Sequence, residues 1–225
     1  MTSLPQAFAL SFGQLGDRAI LKVVAKSIAI TLAIFVIGGG AVLAALYNWL
    51  VSTGFAFSAE LSALAALFLT VLAGWLLFRI VALVVLQFFA DEVVAAVEAR
   101  HYPQHAASVR KVPMQEEVGH ALRGGMRALG VNLVALPFAM VLLVTGVGTA
   151  LLFWAVNGWL LGRELQDMVW LRHRHDPSDA APLGKLDRFL MGGAVAAMMV
   201  VPFLNLLAPV IGAAAATHMV HRGRG

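Results

Sequence analysis

Four long apolar runs alternate with polar stretches along the chain. They cover about residues 19–50, 59–89, 131–161 and 189–220. Each run is longer than the ~20 residues that an α-helix needs to cross the ~30 Å hydrocarbon core of a bilayer. The polar stretches between them carry most of the charge. This alternation predicts an all-α integral membrane protein, organised as a single membrane domain over residues 1–225.

The last run has an interruption in its middle. Residues 189–220 contain no Asp, Glu, Lys or Arg, but Pro202 and Asn205 lie near the centre. A straight helix of this length would reach about 48 Å, which is long for one crossing and short for two. Proline removes a helical hydrogen bond, and Asn205 can bond the backbone groups that it frees. We therefore expect two half-helices that enter the membrane, turn and return.

The third run has a similar central interruption. Gly146 and Gly148 lie in the middle of residues 131–161, which match the last run in length. A turn at membrane depth is tolerated only where it is buried in protein or lines a water-filled cavity. The sequence thus predicts two long transmembrane helices plus two half-penetrating helical hairpins. Amphipathic cytoplasmic helices complete the predicted fold, one of them over residues 114–129.

Composition supports the membrane class and narrows the chemistry. The chain is 60% hydrophobic and 12% charged, whereas soluble domains are about one quarter charged. Its net charge of +4 comes from basic residues beside apolar runs. This is the arrangement of cytoplasmic membrane anchoring, so we expect a lipid bilayer and not nucleic acid as partner. The absence of cysteine excludes disulfides and thiolate metal sites.

The distribution of Lys and Arg predicts the orientation in the membrane. Five of the sixteen basic residues lie in residues 100–127 and five in residues 163–188, while residues 51–58 have none. Short loops rich in Lys and Arg stay in the cytoplasm. Both basic loops are therefore expected on the cytoplasmic side, together with the N- and C-termini. Each hairpin then leaves the membrane on the side that it entered.

Three stretches resemble one known family. They are Phe88 to Glu98, Gly162 to Asp167, and Val201 to Thr217 with its Pro-Phe-Leu-Asn-Leu-Leu-Ala-Pro core. Together they resemble the CysZ-like sulfate permease family of the wider etoposide-induced-protein superfamily. The resemblance implies two long transmembrane helices with two hemi-penetrating hairpins, assembly into homo-oligomers, and location in the bacterial inner membrane. The implied activity is the entry of sulfate for sulfur assimilation.

The resemblance also implies an anion site at the start of the first long helix. The family has a Gly-Leu-Arg motif there, and this chain has Gly16, Asp17 and Arg18. A helix start offers free N–H groups and partial positive charge, and an arginine fork suits tetrahedral oxyanions. Asp17 departs from the motif. Its carboxylate can cap the helix or pair with Arg18, and either contact would weaken the binding of a dianion.

The other polar residues give weaker indications of function. We expect Asp91 and Glu98, two turns apart on one helix, to be solvated or to contact another subunit. His218 and His221 have a spacing that can place two metal ligands on one helix face, but no matching carboxylate lies near them in sequence. We expect them to be interfacial, with no metal and no cofactor. No catalytic constellation is recognisable, so the sequence does not indicate an enzyme.

Two functions therefore stay open. The first is an anion permease or channel, with the hairpin tips at Gly146, Gly148, Pro202 and Asn205 lining the path. The second is a non-transporting protein that organises the membrane or binds partners on the same fold. Binding of an oxyanion at the Gly16–Arg18 turn distinguishes them.

Overall fold

The computed structural model describes residues 3–52, 63–72, 74, 89–176, 178–201 and 204–222. These residues form α-helices joined by short turns, without strands. The helices are α1 (Leu4–Gln14), α2 (Arg18–Ser52), α3 (Ala63–Leu72), α4 (Ala90–His101), α5 (Pro103–Ala107), α6 (Met114–Leu142), α7 (Val147–Trp170), α8 (Lys185–Val200) and α9 (Leu204–Arg222). In this described part, three segments are long and apolar enough to cross a bilayer: Arg18–Ser52, Met114–Thr145 and Leu204–Arg222. The predicted all-α membrane protein is thereby confirmed.

The chain divides into two compact units. The first comprises Met1–Ile20 with Ala90–Gly225, and the second comprises Leu21–Phe89. The second unit contains most of α2, which is 35 residues long and thus about 52 Å, together with α3. Most of the predicted second run, including Glu60 and Arg79, lies outside the described residues.

The third apolar run forms a helical hairpin, as predicted. Helix α6 ends in a short 3₁₀ turn over Leu143–Thr145, and α7 begins at Val147 and packs back against α6. The predicted amphipathic helix over residues 114–129 is not separate, because α6 runs without interruption from Met114 to Leu142. No proline or turn divides residues 114–136, so the helix continues from its polar half into its apolar half.

The last apolar run also breaks in its middle. Helix α8 ends at Val200 and α9 begins at Leu204, and the two helices pack against each other. Pro202 lies outside the described residues. Because α6–α7, α7–α8 and α8–α9 are consecutive packed pairs, both hairpin tips point to one end of the unit. The polar segments lie at the opposite end, called the polar end below.

Four glycines bring α7 and α8 into close contact. A Cβ atom built on Gly158 would lie 3.0 Å from the Cα of Gly193, and one on Gly162 would overlap the carbonyl oxygen of Arg188. Gly192 likewise leaves no room for a methyl group against the backbone of α7. Small residues at such spacing allow helix backbones to approach closely. The two hairpins are joined along this seam.

Helix α9 is the centre of the first unit. It packs against α1, α4, α7 and α8, and 83% of its most apolar window is buried. The run Ala213–Ala216 is buried completely or nearly so, which permits neighbouring helices to approach from several sides. Although α9 is apolar enough to span a bilayer, its surface is covered by protein.

Apolar side chains cover the outside of α6 and its hairpin tip. They include Val134, Phe138, Met140, Val141 and Val144, all of them at least 60% exposed. A contiguous exposed surface of this kind is typical of contact with lipid or another protein. It agrees with a hairpin that enters the membrane by its tip.

Candidate functional site

The predicted anion site lies where α1 gives way to α2. Gly16 and Asp17 form the turn between these helices, and Arg18 is the first residue of α2. The backbone N–H of Asp17 donates to the carbonyl of Gln14 at 2.8 Å. A Cβ on Gly16 would meet no atom of the described residues within 4 Å. The turn is therefore open on the Gly16 side.

Asp17 pairs with an arginine from another helix. Its carboxylate lies 2.6 Å from a guanidinium nitrogen of Arg100, at the end of α4. Arg18 is exposed, and no ion pair joins it to a carboxylate of the described residues. The sequence left two possible contacts of Asp17 open, a cap on the helix or an ion pair with Arg18. The structure does not have the ion pair with Arg18. The negative charge at this turn is offset by Arg100, and the Arg18 guanidinium faces solvent.

Three of the predicted tip residues, Gly146, Gly148 and Asn205, lie beside the ends of the hairpin helices, and Pro202 lies outside the described residues. Gly146 has a φ of +65°, which side-chain-bearing residues rarely adopt, and it follows the 3₁₀ turn. Gly148 donates its N–H to the Thr145 hydroxyl at 3.0 Å, and a Cβ there would lie 2.9 Å from Leu142. Asn205 is buried in the first turn of α9. These residues build the turns, and whether they line a path stays a prediction.

An arginine-rich pocket at the polar end was not predicted from the sequence. It is a cavity of about 200 Å³ between α6, α7, α8 and the segment that joins α7 to α8. His120, Asp167 and Asp179 are among its lining residues. Five arginines also line it: Arg123, Arg127, Arg163, Arg174 and Arg188.

The pocket has more positive than negative charge. Asp167 contacts His120 at 3.1 Å and Arg163 at 3.6 Å, and Arg174 pairs with Glu116 at 2.8 Å. Arg127 and Arg188, by contrast, form no ion pair with any carboxylate in the part of the chain that the structure describes. Five arginines against Asp167 and Asp179 leave a formal excess of three positive charges among the lining residues. This arrangement suits a small anion with several oxygen atoms.

A second polar cluster is buried beside this end of the unit. Glu98 on α4 is 1% exposed, and its Oε1 lies 2.8 Å from His173 Nε2 and 3.0 Å from His221 Nε2. His173 follows α7 and His221 is near the end of α9, so the contacts join three separate elements. Arg172 lies 3.7 Å from the other carboxylate oxygen, Oε2.

The surroundings of Glu98 favour its charged form. Burial alone would raise the pKa of Glu98, but hydrogen bonds from His173 and His221, with the charge of Arg172, lower that pKa to about 2. Two expectations are therefore wrong. Glu98 is not solvated, and His218 and His221 are not interfacial, because α9 is enclosed by its neighbours. Asp91 is exposed, as expected.

His218 lies in an adjoining hydrogen-bond network. Its Nε2 is 2.8 Å from Gln14 Nε2 on α1, and its Nδ1 is 2.8 Å from the Tyr102 hydroxyl. Ring contacts extend the network through His105, whose ring centre is 4.4 Å from that of His221. Five of the seven histidines of the chain thus gather here: His101, His105, His173, His218 and His221.

Only part of the arginine pocket and of the histidine cluster could be predicted from the sequence. The arginines of the pocket come from three helices and a loop, and no short motif links them. The i, i+3 spacing of His218 and His221 was a signal, but their carboxylate partner is 123 residues away in sequence. The positive charge of residues 100–127 and 163–188 was used only to predict orientation in the membrane, and the pocket that these stretches build was missed.

Comparison with known proteins gives one match. A sequence model of the family described as sulfate transporter CysZ/etoposide-induced protein 2.4 matches residues 7–209. No curated protein and no solved structure matches the chain. The matched region includes the Gly16–Arg18 turn, the arginine pocket and both hairpin tips, and it ends within α9.

Proposed function

The chain belongs to the sulfate transporter CysZ/etoposide-induced protein 2.4 family, and we propose that it is an inner-membrane permease or channel for sulfate or a similar oxyanion. It passes the anion across the membrane for sulfur assimilation, and it works as a homo-oligomer. The hairpins enter the bilayer from the cytoplasmic side and return there. The N- and C-termini are cytoplasmic in this proposal.

One observation carries the choice of an anion as substrate. Two sites at the polar end of the first unit present arginine side chains that pair with no carboxylate of the described residues: Arg18 at the start of α2, and Arg127 with Arg188 in the pocket. Unpaired guanidinium groups near one another repel, and an oxyanion with several acceptor oxygens relieves this repulsion. A cation or an apolar substrate would gain nothing from either site.

The turn at Arg18 supports the proposal despite its departure from the family motif. A leucine at position 17 would leave the turn uncharged, whereas Asp17 adds a carboxylate. Arg100 supplies the compensating charge at 2.6 Å. The N–H groups at the start of the 35-residue helix α2 then add to the attraction of Arg18 for a dianion.

In the proposal, the hairpin tips form the part of the anion path that lies within the membrane. Both tips lie at the same end of the first unit, opposite the arginine pocket, and apolar side chains such as Val144 and Val200 surround them. In the proposal, the anion passes by Gly146, Gly148, Pro202 and Asn205 between the tips and the polar end. Several copies of the chain assemble around this path.

A second function has its own supporting observation. The exposed apolar face of α6 can bind lipid or another membrane protein without any transport. In this alternative, the chain keeps the fold of the family and serves as a membrane-organising or interaction protein.

Sulfate uptake distinguishes the two functions. Purified protein is placed in liposomes, and uptake of radiolabelled sulfate is compared between wild type, Arg18→Ala and the matched control Lys22→Ala, which removes an exposed charge one turn further along α2. We expect saturable uptake in wild type and in the control, and at least a ten-fold loss in Arg18→Ala. Size-exclusion chromatography and thermal unfolding establish that each sample is folded and assembled.

A second pair of variants tests the pocket. Arg127→Gln removes a pocket charge, and Lys185→Ala removes an exposed basic residue outside the pocket. Loss of uptake in Arg127→Gln alone would move the anion site from the Arg18 turn to the pocket. No uptake by a folded, assembled wild-type sample would reject the permease and leave the interaction protein as the better explanation.

A further inference from the structure

Glu98, His173 and His221 form a buried group of potential metal ligands. Their ligand atoms all lie within 4.8 Å of one another, and the three side chains are at most 5% exposed. Both histidines direct Nε2 at the same carboxylate oxygen, at 2.8 and 3.0 Å. The three residues belong to α4, the turn after α7, and α9.

Two polar atoms of this group have no hydrogen-bond partner among the described residues. Glu98 Oε2 and His221 Nδ1 are buried, and no described group forms a hydrogen bond with either of them. Arg172 approaches Oε2 only to 3.7 Å, which is beyond hydrogen-bond distance. Buried acceptors without donors are uncommon in folded proteins and call for a specific partner. A metal ion held by Oε1 and the two Nε2 atoms would replace the two histidine–carboxylate hydrogen bonds, and each imidazole would release its Nε2 proton on binding.

We propose that Glu98, His173 and His221 bind a divalent transition-metal cation of the Zn²⁺ class. Two imidazoles with one carboxylate are a ligand set that Zn²⁺ takes in proteins, with the fourth tetrahedral position open to water. Mg²⁺ and Ca²⁺ prefer oxygen ligands throughout, and the chain has no cysteine for softer ions.

Metal binding requires a rearrangement of the three side chains. Ligand atoms about 2.0–2.2 Å from a tetrahedral metal lie about 3.4 Å apart. The two nitrogen–oxygen distances of 2.8 and 3.0 Å therefore open by roughly half an ångström. The two histidine ligand nitrogens, which lie within 4.8 Å of each other, close by up to about 1.4 Å. Arg172 remains on the side of Oε2, so Oε1 is the oxygen that turns to the metal. The bound ion ties three elements together at the polar end of the unit.

Metal titration of the full chain tests this site. Protein in detergent is stripped with a chelator and titrated with Zn²⁺ by calorimetry. Co²⁺ serves as a second probe, because its visible absorption reports tetrahedral coordination. We expect one ion per chain, at least a ten-fold loss of affinity in His221→Gln and Glu98→Gln, and no change in the control His175→Gln, whose side chain is exposed.

Two measurements on the wild-type protein keep the test decisive if a variant does not fold. We expect the midpoint of thermal unfolding to rise with Zn²⁺ concentration, and the Co²⁺ spectrum to be tetrahedral with nitrogen ligands. Wild-type protein that binds no ion at micromolar concentration overturns the proposal. Binding that survives in folded His221→Gln and Glu98→Gln also overturns it, because the ion then lies elsewhere. Neither result bears on sulfate uptake.

Discussion

The seam between α7 and α8 gives a sharp prediction for Gly162→Ala. A methyl group at this position meets the carbonyl of Arg188, with 2.8 Å between Cβ and the carbonyl carbon. Carbon atoms in contact settle at about 3.5–4.0 Å, so the two backbones must separate locally by about 1 Å. Because the obstacle is backbone and not a flexible side chain, no rotamer change can relieve it. Overpacking of this kind costs about 1–3 kcal/mol of unfolding free energy.

A matched control isolates this cost. Alanine is favoured over glycine within a helix by about 0.5–1 kcal/mol, so Gly162→Ala alone mixes a gain with a loss. Gly125→Ala in α6 gains the same helix propensity, and its Cβ meets no atom within 4 Å in the part of the chain that the structure describes. The difference between the two variants is therefore the packing cost. At about 2–4 °C per kcal/mol for a chain of this size, their unfolding midpoints should differ by about 2–12 °C.

Thermal unfolding in detergent, followed by fluorescence-detected size exclusion, measures this difference. Gly162→Ala is expected below wild type or near it, and Gly125→Ala at or above wild type. If Gly162→Ala unfolds at the same temperature as Gly125→Ala or higher, α7 and α8 are not in the close contact described here, and the joining of the two hairpins must be revised.

Further predictions concern the anion turn and the hairpins. Arg100→Ala should weaken sulfate binding up to about five-fold in calorimetry, because it leaves the charge of Asp17 unpaired and exposed ion pairs contribute about 0.2–1 kcal/mol. Adding Asp17→Asn should restore the affinity for sulfate. A double variant that binds as weakly as Arg100→Ala would contradict this explanation. Gly146→Ala should cost about 1–2 kcal/mol because of its φ of +65°, so an unchanged unfolding midpoint would argue against that turn. Trp154→Phe should cost about 0.5–1.5 kcal/mol through its lost bond to the Gly193 carbonyl; a variant as stable as wild type would show that water replaces this bond.

Much of the fold could be predicted because the signals are local. Gly146, Gly148 and the break after Val200 interrupt long apolar runs, and glycine and proline disfavour a continuous helix at these points. The structure has a 3₁₀ turn at the first place, and at the second α8 ends at Val200 before α9 begins at Leu204. The continuity of α6 was missed, because the sequence changes from polar to apolar near residue 130 without any change in the backbone.

The buried polar groups could not be predicted, because their partners are distant in sequence. Glu98 contacts side chains 75 and 123 residues away. Glutamate is almost never fully buried unless it is paired, so the sequence favours a solvated position. Only the burial of α9 places His221 opposite it. The Gly158–Gly162 spacing is a signal for close helix packing, yet its partner in α8 becomes known only from the structure.

The central position of α9 has a consequence for the order of assembly. This helix is synthesised after α1, α4, α7 and α8, and all four bury part of their surface against it. Until residues 204–222 have left the ribosome, these earlier helices lack their shared neighbour, and Gln14 lacks its contact with His218 across 204 residues. Contacts of such long range form slowly. The first unit therefore closes only after translation of α9, and its nascent form is the state most exposed to aggregation and to quality-control proteases.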